Sequence, residues 1–553
     1  MRDAIMRRNM RDVTYNSSVY HGLNLPLFLA TGRESRDQEK MDFVKQMMIH
    51  AWTGYKEFAW GYDDLNPISQ TPWNWYKNVT LLNTPVDALD TLFIMDLKEE
   101  YAEAKQLILE TLDFANISQH VSVFETNIRI LGGLLAAFDL EGDVALLNKS
   151  IELADRLLPA FDTPTGIPKS QINLATGKFA IYSSSSVILA ELGTLQLEFQ
   201  YLSDITGNSI YAQKALYVYE QMQTIKMRIP GLFPEYLDVD KLEYGENPFL
   251  ITKVSVGGMA DSYYEYLLKL WLSTGEEKYF NMYYTAAQSI AENMVVKSDL
   301  GHLYIPTGFV KQVGAAPRDP RPPYNSDATT AKAGDSSTAE TPEVPKYYVA
   351  HDFTFEHLAC FTGGMMATGA LASREGNWTH HLYIASEITE TCWKMYNNSA
   401  TGIGSESCDG KTLSLYNSRY ILRPEAVESL FYFWRYTHNQ IYRDRAWSIA
   451  KNIEKYCRDE TGYHGLENAG IIPTSSELNA IDRQESFFLA ETLKYLYLIF
   501  TDDDTIPLEK YVFNTEAHPL SVRGHGRRKD PSKFTPLPPA YDVAVGQLRN
   551  ITK

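Results

Sequence analysis

The stretch FETNIRILGGLLAAF, at residues 124–138, is apolar on nearly every side of a helix and contains two adjacent glycines. A helix of this kind must be surrounded by protein, because otherwise water would contact its apolar faces. Other stretches share this character, for example SSVILAELGTLQLEF at 185–199, GGMADSYYEYLLKLW at 257–271 and FEHLACFTGGMMATGALA at 355–372. The sequence therefore predicts an inner layer of buried helices.

A second kind of segment alternates with these stretches and has a charged face along one side. Its members carry apolar residues at i, i+3, i+4 and i+7, the spacing that places side chains on one face of a helix. Such a helix can line the outside of a protein with its apolar face turned inward. Seven segments of this kind alternate with seven inner stretches, at residues 41–58, 99–114, 143–160, 210–226, 277–297, 378–396 and 441–457.

An acidic residue or a histidine lies near the N-terminal end of each predicted inner helix. A repeat of one helical hairpin fits either an open solenoid or a closed ring. We favour the ring, because carboxylates at the same end of the inner helices would then converge on one mouth. The predicted fold is all-α, an (α/α)7 barrel of seven outer and seven inner helices. The residues at the N-terminal ends are Asp87, Glu125, Glu191, Asp261, His357, Glu425 and Glu491, and most successive members are 66–70 residues apart.

The two ends of the chain and one internal segment depart from this repeat. Residues 314–345 are rich in Pro, Ala, Ser and Thr, which predicts an extended surface loop. The strand-like segment KYVFNTEAHPL at 510–520 is predicted to plug the barrel. The predicted organisation is an N-terminal extension at 1–40, a catalytic domain at 41–520 that includes the loop, and a C-terminal tail at 521–553.

Composition argues against several classes of protein. The chain has 553 residues, with 51 Lys and Arg against 69 Asp and Glu, and therefore a net charge of −18. This balance argues against nucleic acid as a partner, because its binding depends on cationic side chains at the phosphates. No apolar run reaches the roughly 18–20 residues of a membrane span. Neither a zinc-site spacing nor an EF-hand loop occurs in the sequence.

The carboxylates of the predicted mouth are suited to glycoside hydrolysis. That reaction uses one carboxylic acid to protonate the leaving oxygen and a second carboxylate to activate water or to attack the sugar. Crowding raises the pKa of one carboxyl group, so that it stays protonated near neutral pH. The helix pattern offers five candidates and does not rank them. Acidic residues at helix N-termini also complement the helix dipole, which is the competing interpretation of two of them. The five are Glu125, Glu191, Asp261, Glu425 and Glu491, and the two are Glu125 and Asp261.

Seven motifs in order along residues 41–520 resemble glycoside hydrolase family 47, the class I α-1,2-mannosidases that trim N-linked glycans. Their joint order makes the resemblance specific. It implies an inverting, calcium-dependent enzyme that removes terminal α-1,2-linked mannose from high-mannose N-glycans. The motifs are HAWTGYKEFAWGYDDLNPIS, VDALDTLFIMDL, FETNIRILGGLLAA, GGMADSYYEYLLK, LRPEAVESLFYFWR, FFLAETLKYLYLIF and VFNTEAHPL.

The resemblance also assigns roles to individual residues. It implies that Glu125 is the general acid, Glu425 the base and Asp261 the third catalytic carboxylate. Arg129 is implied to hold the acid and the sugar, although an ordinary i,i+4 ion pair with Glu125 is the simpler interpretation. Core packing is the alternative for two members of the substrate-binding set, His357 and Phe487. That set is Arg129, Glu191, His357, Arg423, Glu428, Phe487, Glu491 and Glu516.

The resemblance implies one metal ion, Ca²⁺, bound by the hydroxyl and the carbonyl of Thr515 in FNTEAHP. A hard cation of this kind takes oxygen ligands. Waters held by neighbouring acids such as Glu491 and Glu516, together with the hydroxyl groups of the sugar, would complete its shell. The ion would then position the sugar as well as brace the barrel.

The predicted compartment is the lumen of the Golgi or the endoplasmic reticulum. The resemblance implies a disulfide between Cys360 and Cys392, whose long loop would stabilise the fold by about 3–4 kcal/mol. Disulfides and N-glycosylation both favour the secretory pathway. The charged N-terminus lacks a signal peptide and is interpreted as the start of a lumenal region without its signal or membrane anchor. The protein is predicted to be a monomer. Seven Asn-x-Ser/Thr acceptor sites occur, at Asn16, Asn78, Asn116, Asn148, Asn377, Asn397 and Asn550.

Two alternative functions compete with this interpretation. A glycan-binding quality-control protein related to these mannosidases would have weak or no turnover, yet all three carboxylates and Thr515 are present. A barrel enzyme of other chemistry, such as a cyclase, would need aspartate-rich metal motifs on helices.

One position departs from the endoplasmic-reticulum enzymes that remove a single mannose. Met259 stands where the resemblance implies Arg in those enzymes. A guanidinium offers up to five hydrogen-bond donors that can hold one glycan branch. Its absence predicts trimming from nine mannoses towards five.

Overall fold

A computed structural model describes residues 36–179, 186–243, 247–249, 251–313, 346–373, 376–473 and 479–523. The predicted loop at 314–345 lies outside these residues. Residues 1–35 of the predicted N-terminal extension and residues 524–553 of the predicted tail also lie outside them. Within the described ranges, no helix is both long enough and apolar enough to cross a membrane.

Seven long helices form an outer layer in the described part of the chain. Each buries an apolar face, as in Val144–Leu157, where Leu146 and Leu153 are buried while Asn148 is exposed. The outer helices are Gln38–Phe58, Lys98–Thr111, Val144–Leu157, Ile210–Thr224, Glu277–Asn293, Trp378–Asn397 and Gln440–Tyr456.

Seven further helical segments alternate with the outer helices and form the inner layer. They are buried on nearly every side; in Glu425–Thr437, for example, every residue from Glu425 to Arg435 is buried. Two of them contain a π-helical turn, a feature often found at functional sites. The inner segments are Asn83–Asp87 with Leu89–Ile94; Val123–Glu125 with the π-helical Thr126–Leu131 and Gly132–Glu141; Leu189–Gly193 with Gln196–Thr206; Asp261–Thr274; the 3₁₀ turn His357–Cys360 with Phe361–Ser373; Glu425–Thr437; and the π-helical Phe488–Thr492 with Leu493–Leu498.

The inner helices close into a ring. Each packs against the next along the chain, and the last, which begins at Phe488–Thr492, packs against the first, Leu89–Ile94. Thr91 of the first donates a hydrogen bond to the carbonyl of Ala490 in the last, over 3.4 Å. This closure confirms the predicted (α/α)7 barrel and excludes the open solenoid.

Short antiparallel strands connect the helices. Several lead directly into inner helices, so they lie at the N-terminal ends of the inner layer. The pairs are Asp64–Asn66 with Thr71–Trp73, His120–Ser122 with Gln171–Asn173, Ser186–Ile188 with Tyr236–Asp238, Val296–Lys297 with Leu303–Tyr304, and Gly465–Leu466 with Ala480–Ile481. Two three-stranded sheets have Gly308–Gln312 between Lys253–Val254 and Tyr347–His351, and Ser407–Asp409 between Thr354–Glu356 and Leu415–Asn417. The short helix Val239–Glu243 and the 3₁₀ turns Phe114–Asn116 and Leu158–Phe161 complete the connections.

The last two strands, Tyr511–Phe513 and Pro519–Ser521, form a hairpin that packs against two inner helices, Gly132–Glu141 and Asp261–Thr274. A Cβ atom at Gly132 would lie 2.6 Å from the side chain of Asn514 in the hairpin turn. The glycine in the motif FETNIRILGG therefore allows the hairpin to approach the ring closely. The predicted plug of the barrel is confirmed.

The disulfide predicted between Cys360 and Cys392 is present, with Cα atoms 5.9 Å apart. It joins the start of an inner helix to the outer helix Trp378–Asn397. Cys408 and Cys457 are buried free thiols, and burial raises the pKa of both.

Candidate active site

A cavity of about 420 Å³ lies at the N-terminal ends of the inner helices. Ten of the twelve residues predicted for catalysis, substrate or metal line it, so the structure brings together groups that are spread over most of the sequence. The two that do not line it are His357 and Glu428. The ten are Glu125, Arg129, Glu191, Asp261, Arg423, Glu425, Phe487, Glu491, Thr515 and Glu516.

Glu125 lies in the first turn of its inner helix, where the hydroxyl of Ser122 accepts a hydrogen bond from its backbone N–H over 3.2 Å. Its carboxylate accepts a hydrogen bond from Nε of Arg129 over 2.9 Å. Arg129 lies in the π-helical turn and also contacts Glu516 and, over 3.4 Å, Asp87. The i,i+4 ion pair is therefore real, and it also fixes a carboxylate that remains partly exposed to the cavity.

The Arg129 guanidinium lies between two aromatic rings. The centroid of Phe487 is 5.7 Å away and that of Trp75 is 5.3 Å away. Trp75 is held in turn by its indole N–H, which donates to the Asp64 carboxylate over 2.6 Å. Trp75 was not among the predicted site residues, although it lies in a short stretch with two tryptophans.

Asp261 begins the inner helix Asp261–Thr274, and its carboxylate accepts a hydrogen bond from the backbone N–H of Ser262 over 2.7 Å. Burial raises the pKa of Asp261 to about 7, and the negative charges of Glu265 and Glu425 act in the same direction. This carboxyl group is therefore partly protonated near neutral pH.

Glu425 shows the opposite behaviour. Burial alone would raise the pKa of Glu425, but the hydrogen bond and charge of His357, with the charge of Arg423, lower it below its ordinary value. Nδ1 of His357 lies 2.8 Å from Oε2 of Glu425. Arg423 is itself fixed by Glu406, to which it donates two hydrogen bonds of 2.7 and 2.8 Å. Glu425 is therefore kept ionised in a buried place.

His357 does not lie where a direct sugar contact would place it. Its side chain is fully buried, and its second ring nitrogen lies 2.7 Å from the hydroxyl of Tyr396. It stands behind Glu425, so its position fits a residue that orients the carboxylate. Glu428 is also buried, one turn after Glu425 and near Glu265, and burial raises the pKa of Glu428 well above its ordinary value.

Comparison with known proteins places this barrel among characterised ones. Residues 47–522 match glycosyl hydrolase family 47. The chain belongs to this family. It is 40% identical over 501 residues to mannosyl-oligosaccharide alpha-1,2-mannosidase IA of Drosophila melanogaster, covering 88% of this chain and 68% of that protein. It is 38% identical over 524 residues to mannosyl-oligosaccharide 1,2-alpha-mannosidase IA of Sus scrofa, covering 91% and 72%.

A solved structure of family 47 is also similar. The alpha-1,2-mannosidase from Trichoderma reesei superimposes with a TM-score of 0.74 at 27% sequence identity, covering 89% of this chain and 100% of that one. The agreement extends to the whole barrel.

The residues around Thr515 fit the hard cation that the family 47 resemblance implies. Burial raises the pKa of Glu491 and of Glu516 well above the ordinary value, and neighbouring carboxylates raise both further. A cation beside Thr515 would relieve this repulsion, since it would add positive charge where Arg129 faces several acids. The described residues contain no cluster of three or more His, Cys, Asp or Glu side chains arranged to hold a metal. Thr515 lines the cavity, and its hydroxyl and carbonyl oxygens are donors of the kind that a hard cation takes.

A buried ionic network that was not predicted lies under this part of the family 47 site. The ring of His518 lies 3.1 Å from carboxylate oxygens of both Asp87 and Asp90. Lys494 donates to Asp90 over 2.9 Å and to a carbonyl of the hairpin turn over 2.7 Å. The network holds the turn that carries Thr515 into the cavity. A lysine inside the apolar stretch FFLAETLKYLYLIF was its signal in the sequence.

The raised pKa of Asp261 predicts a pH-dependent gain in stability for Asp261→Asn. A carboxyl group whose pKa is higher in the folded state makes folding less favourable as pH rises from about 4, its unfolded value, to about 7. Asn is neutral throughout. With a chelator present to keep Ca²⁺ out of the cavity, the variant should therefore melt on the order of 2–4 °C above the wild type at pH 8. At pH 5, only about one unit above the unfolded value, the difference in melting temperature should be about a third as large.

The matched control is Asp299→Asn, because Asp299 is exposed at the surface. It should leave the melting temperature unchanged at both values of pH. An equal shift for Asp261→Asn at pH 5 and pH 8 would show that packing, and not ionisation, is responsible.

Proposed function

We propose that this family 47 protein is an inverting, calcium-dependent mannosyl-oligosaccharide 1,2-α-mannosidase that trims terminal α-1,2-linked mannose from high-mannose N-glycans. The observation that carries the proposal is a pair of carboxyl groups in one cavity whose pKa values are shifted in opposite directions. The pKa of Glu425 is lowered, so it stays ionised, whereas Asp261 is partly protonated near neutral pH. Carboxyl groups held in different protonation states can take different parts in glycoside hydrolysis. In this cavity Asp261 is the hydrogen-bond donor beside the base, while the acid is Glu125.

Glu425 is the general base in this proposal. His357 and Arg423 keep it ionised, so it can accept the proton of a water molecule that attacks the anomeric carbon. Glu125 is the general acid, because its carboxyl group faces the cavity and Arg129 orients it. Asp261 is the third carboxyl group, and its proton lets it donate a hydrogen bond to the sugar or to a bound water.

The remaining cavity residues bind the substrate and the ion. Phe487 supplies an aromatic face to the sugar, and Glu191, Arg423 and Glu491 offer hydrogen-bond partners for its hydroxyl groups. Thr515 would hold Ca²⁺ through its hydroxyl and carbonyl, with water held by Glu491 and Glu516. When bound, the ion supplies an anchor for sugar hydroxyl groups.

We place the protein in the lumen of the secretory pathway, where high-mannose glycoproteins are its substrates. The disulfide supports an oxidising compartment. All five acceptor asparagines that fall within the described residues are exposed, as glycosylation requires. These are Asn78, Asn116, Asn148, Asn377 and Asn397.

The function is tested by incubating the protein with a nine-mannose glycan and following the products by mass. Loss of mannose residues one by one is expected, and proton NMR of the first sugar released should show β-mannose. An α-mannose product would contradict the inverting mechanism. Tight binding of the glycan without cleavage would support the quality-control binding protein instead.

We propose that Met259 allows trimming to continue past the eight-mannose product. Its side chain lines the cavity and is 44% exposed, on a residue whose φ of 74° lies in the left-handed region. Wild-type protein should therefore continue past eight mannoses towards five. Met259→Arg adds donors that can hold one branch, and should slow the later cleavages roughly ten- to a hundredfold relative to the first.

The matched control is Met259→Leu, which keeps an apolar side chain on the same backbone and should give the wild-type product series. A wild-type protein that stops at eight mannoses would show that loops, and not Met259, set the product.

A further inference from the structure

We propose that Trp73 is a platform on which a mannose ring of an outer glycan branch stacks, outside the catalytic cavity. The inference rests on the proposed function and concerns the part of the same substrate that the cavity does not enclose. A cavity of about 420 Å³ lies near the lower end of the range for small-molecule sites. A glycan of nine mannoses must therefore extend over the rim.

Trp73 lies on a hairpin beside that rim. It ends the strand Thr71–Trp73 and pairs directly with Asp64 on the neighbouring strand. The Asp64 carboxylate accepts the hydrogen bond from the indole of Trp75, and Trp75 lies against Arg129 in the cavity wall. Trp73 is therefore linked to the cavity wall through Asp64 and Trp75.

The hairpin is fastened to the segment that leads into the cavity residue Phe487. The carboxylate of Asp482 accepts hydrogen bonds from the backbone N–H groups of Ile68 and Ser69, at 2.8 Å and 3.2 Å. The N–H of Gln484 donates to the carbonyl of Leu65 over 2.9 Å. The platform therefore has a fixed position relative to the cavity.

The indole of Trp73 is held in place while its surface stays open. The Arg483 guanidinium lies 4.1 Å from the ring centroid. Arg483 is fixed by hydrogen bonds to Asp64 and Asn66, at 3.3 and 3.2 Å. Even so, 45% of Trp73 is exposed. A single exposed apolar side chain is ordinary; what distinguishes Trp73 is that a guanidinium fixed by two hydrogen bonds holds its ring in one place.

The charges around the platform select the class of ligand. The positive charge of Arg483 is paired with Asp64, so this guanidinium is not a free cation for an anionic ligand. An aromatic face with polar neighbours suits a neutral ring that has an apolar C–H face and hydroxyl groups at its edge. A pyranose ring of the same oligosaccharide has this chemistry.

The test compares two substrates of different size. Mannobiose with an α-1,2 linkage fills the cavity alone, whereas the nine-mannose glycan also covers the rim. Trp73→Ala should raise KM for the glycan roughly three- to tenfold, the size of one aromatic contact. It should leave kcat for the glycan, and both constants for mannobiose, unchanged. Trp73→Phe should restore most of the loss, because it keeps an aromatic face.

The control is Tyr217→Ala, which removes an aromatic side chain of similar exposure, 44%, from the outer helix Ile210–Thr224. It should change neither substrate. An unchanged glycan KM in Trp73→Ala would overturn the platform, as would equal losses on both substrates. If the Ala variant does not fold, Trp73→Leu takes its place. If the wild-type protein cleaves neither substrate, that result contradicts the proposed function.

Discussion

Replacing Glu425 by Gln is expected to lower kcat on the nine-mannose glycan by at least about 10²-fold, the scale of a general base. The amide keeps the size of the side chain but cannot accept the proton of water. Glu125→Gln and Asp261→Asn should each cause a loss of the same order. Folding should survive in all three, because these side chains face the cavity instead of the hydrophobic core.

A substrate with an activated leaving group distinguishes a variant that lacks the general acid from a variant that lacks the general base. The fluoride of α-mannosyl fluoride leaves without full protonation, so the variant that lacks the acid should hydrolyse it at near wild-type rates. Glu125→Gln is the variant expected to do so, while Glu425→Gln should be inactive on both substrates. Recovery in Asp261→Asn instead would assign the acid to Asp261, whose pKa is about 7.

The control variant is Glu467→Gln, because the side chain of Glu467 is 55% exposed and lies outside the cavity lining. It should retain full activity on both substrates. Near-full activity in any of the three cavity variants would show that its assigned role is wrong.

The barrel and most of its site could be predicted because both follow from local patterns. All-round apolar stretches such as 124–138 can only be inner helices, and an inner layer that closes brings their N-terminal ends together. The order of the motifs, through the resemblance to family 47, then assigned catalytic roles to three of these carboxylates, and those roles remain predictions. The hairpin plug was predicted from the strand-like segment at 510–520, whereas the Cys360–Cys392 bridge was implied by the resemblance to family 47.

Other features depend on contacts between distant segments, which the sequence does not display. His357 was predicted either to contact the sugar or to be a satisfied core histidine, and the structure places it behind Glu425, with its second ring nitrogen 2.7 Å from the hydroxyl of Tyr396. Trp75 reaches Arg129 only because the hairpin folds over the rim. The buried pairing of Lys494 with Asp90 joins residues 404 positions apart. Spacing within one helix could not show these pairs.

Removing calcium is expected to abolish activity and to lower the melting temperature. A ligand present at about a thousand times its Kd stabilises the folded state by about 4 kcal/mol, and chelation would remove this contribution. Activity and melting temperature should both return when Ca²⁺ is added and should not return with Mg²⁺, which demands a smaller, octahedral shell. A protein that stays active and equally stable in chelator would contradict the proposed site.

Thr515→Val locates the effect at the hairpin turn. Valine has nearly the shape of threonine but lacks the hydroxyl ligand, so the variant should lose activity and most of the rise in melting temperature on adding Ca²⁺. Thr285→Val, at an exposed position of the outer helix Glu277–Asn293, should keep both. Because the melting shift is measured without substrate, it separates loss of the ion from loss of a sugar contact. A full melting shift in Thr515→Val would mean that the ion binds elsewhere, and the crowded carboxylates of Glu491 and Glu516 would then need another counter-charge.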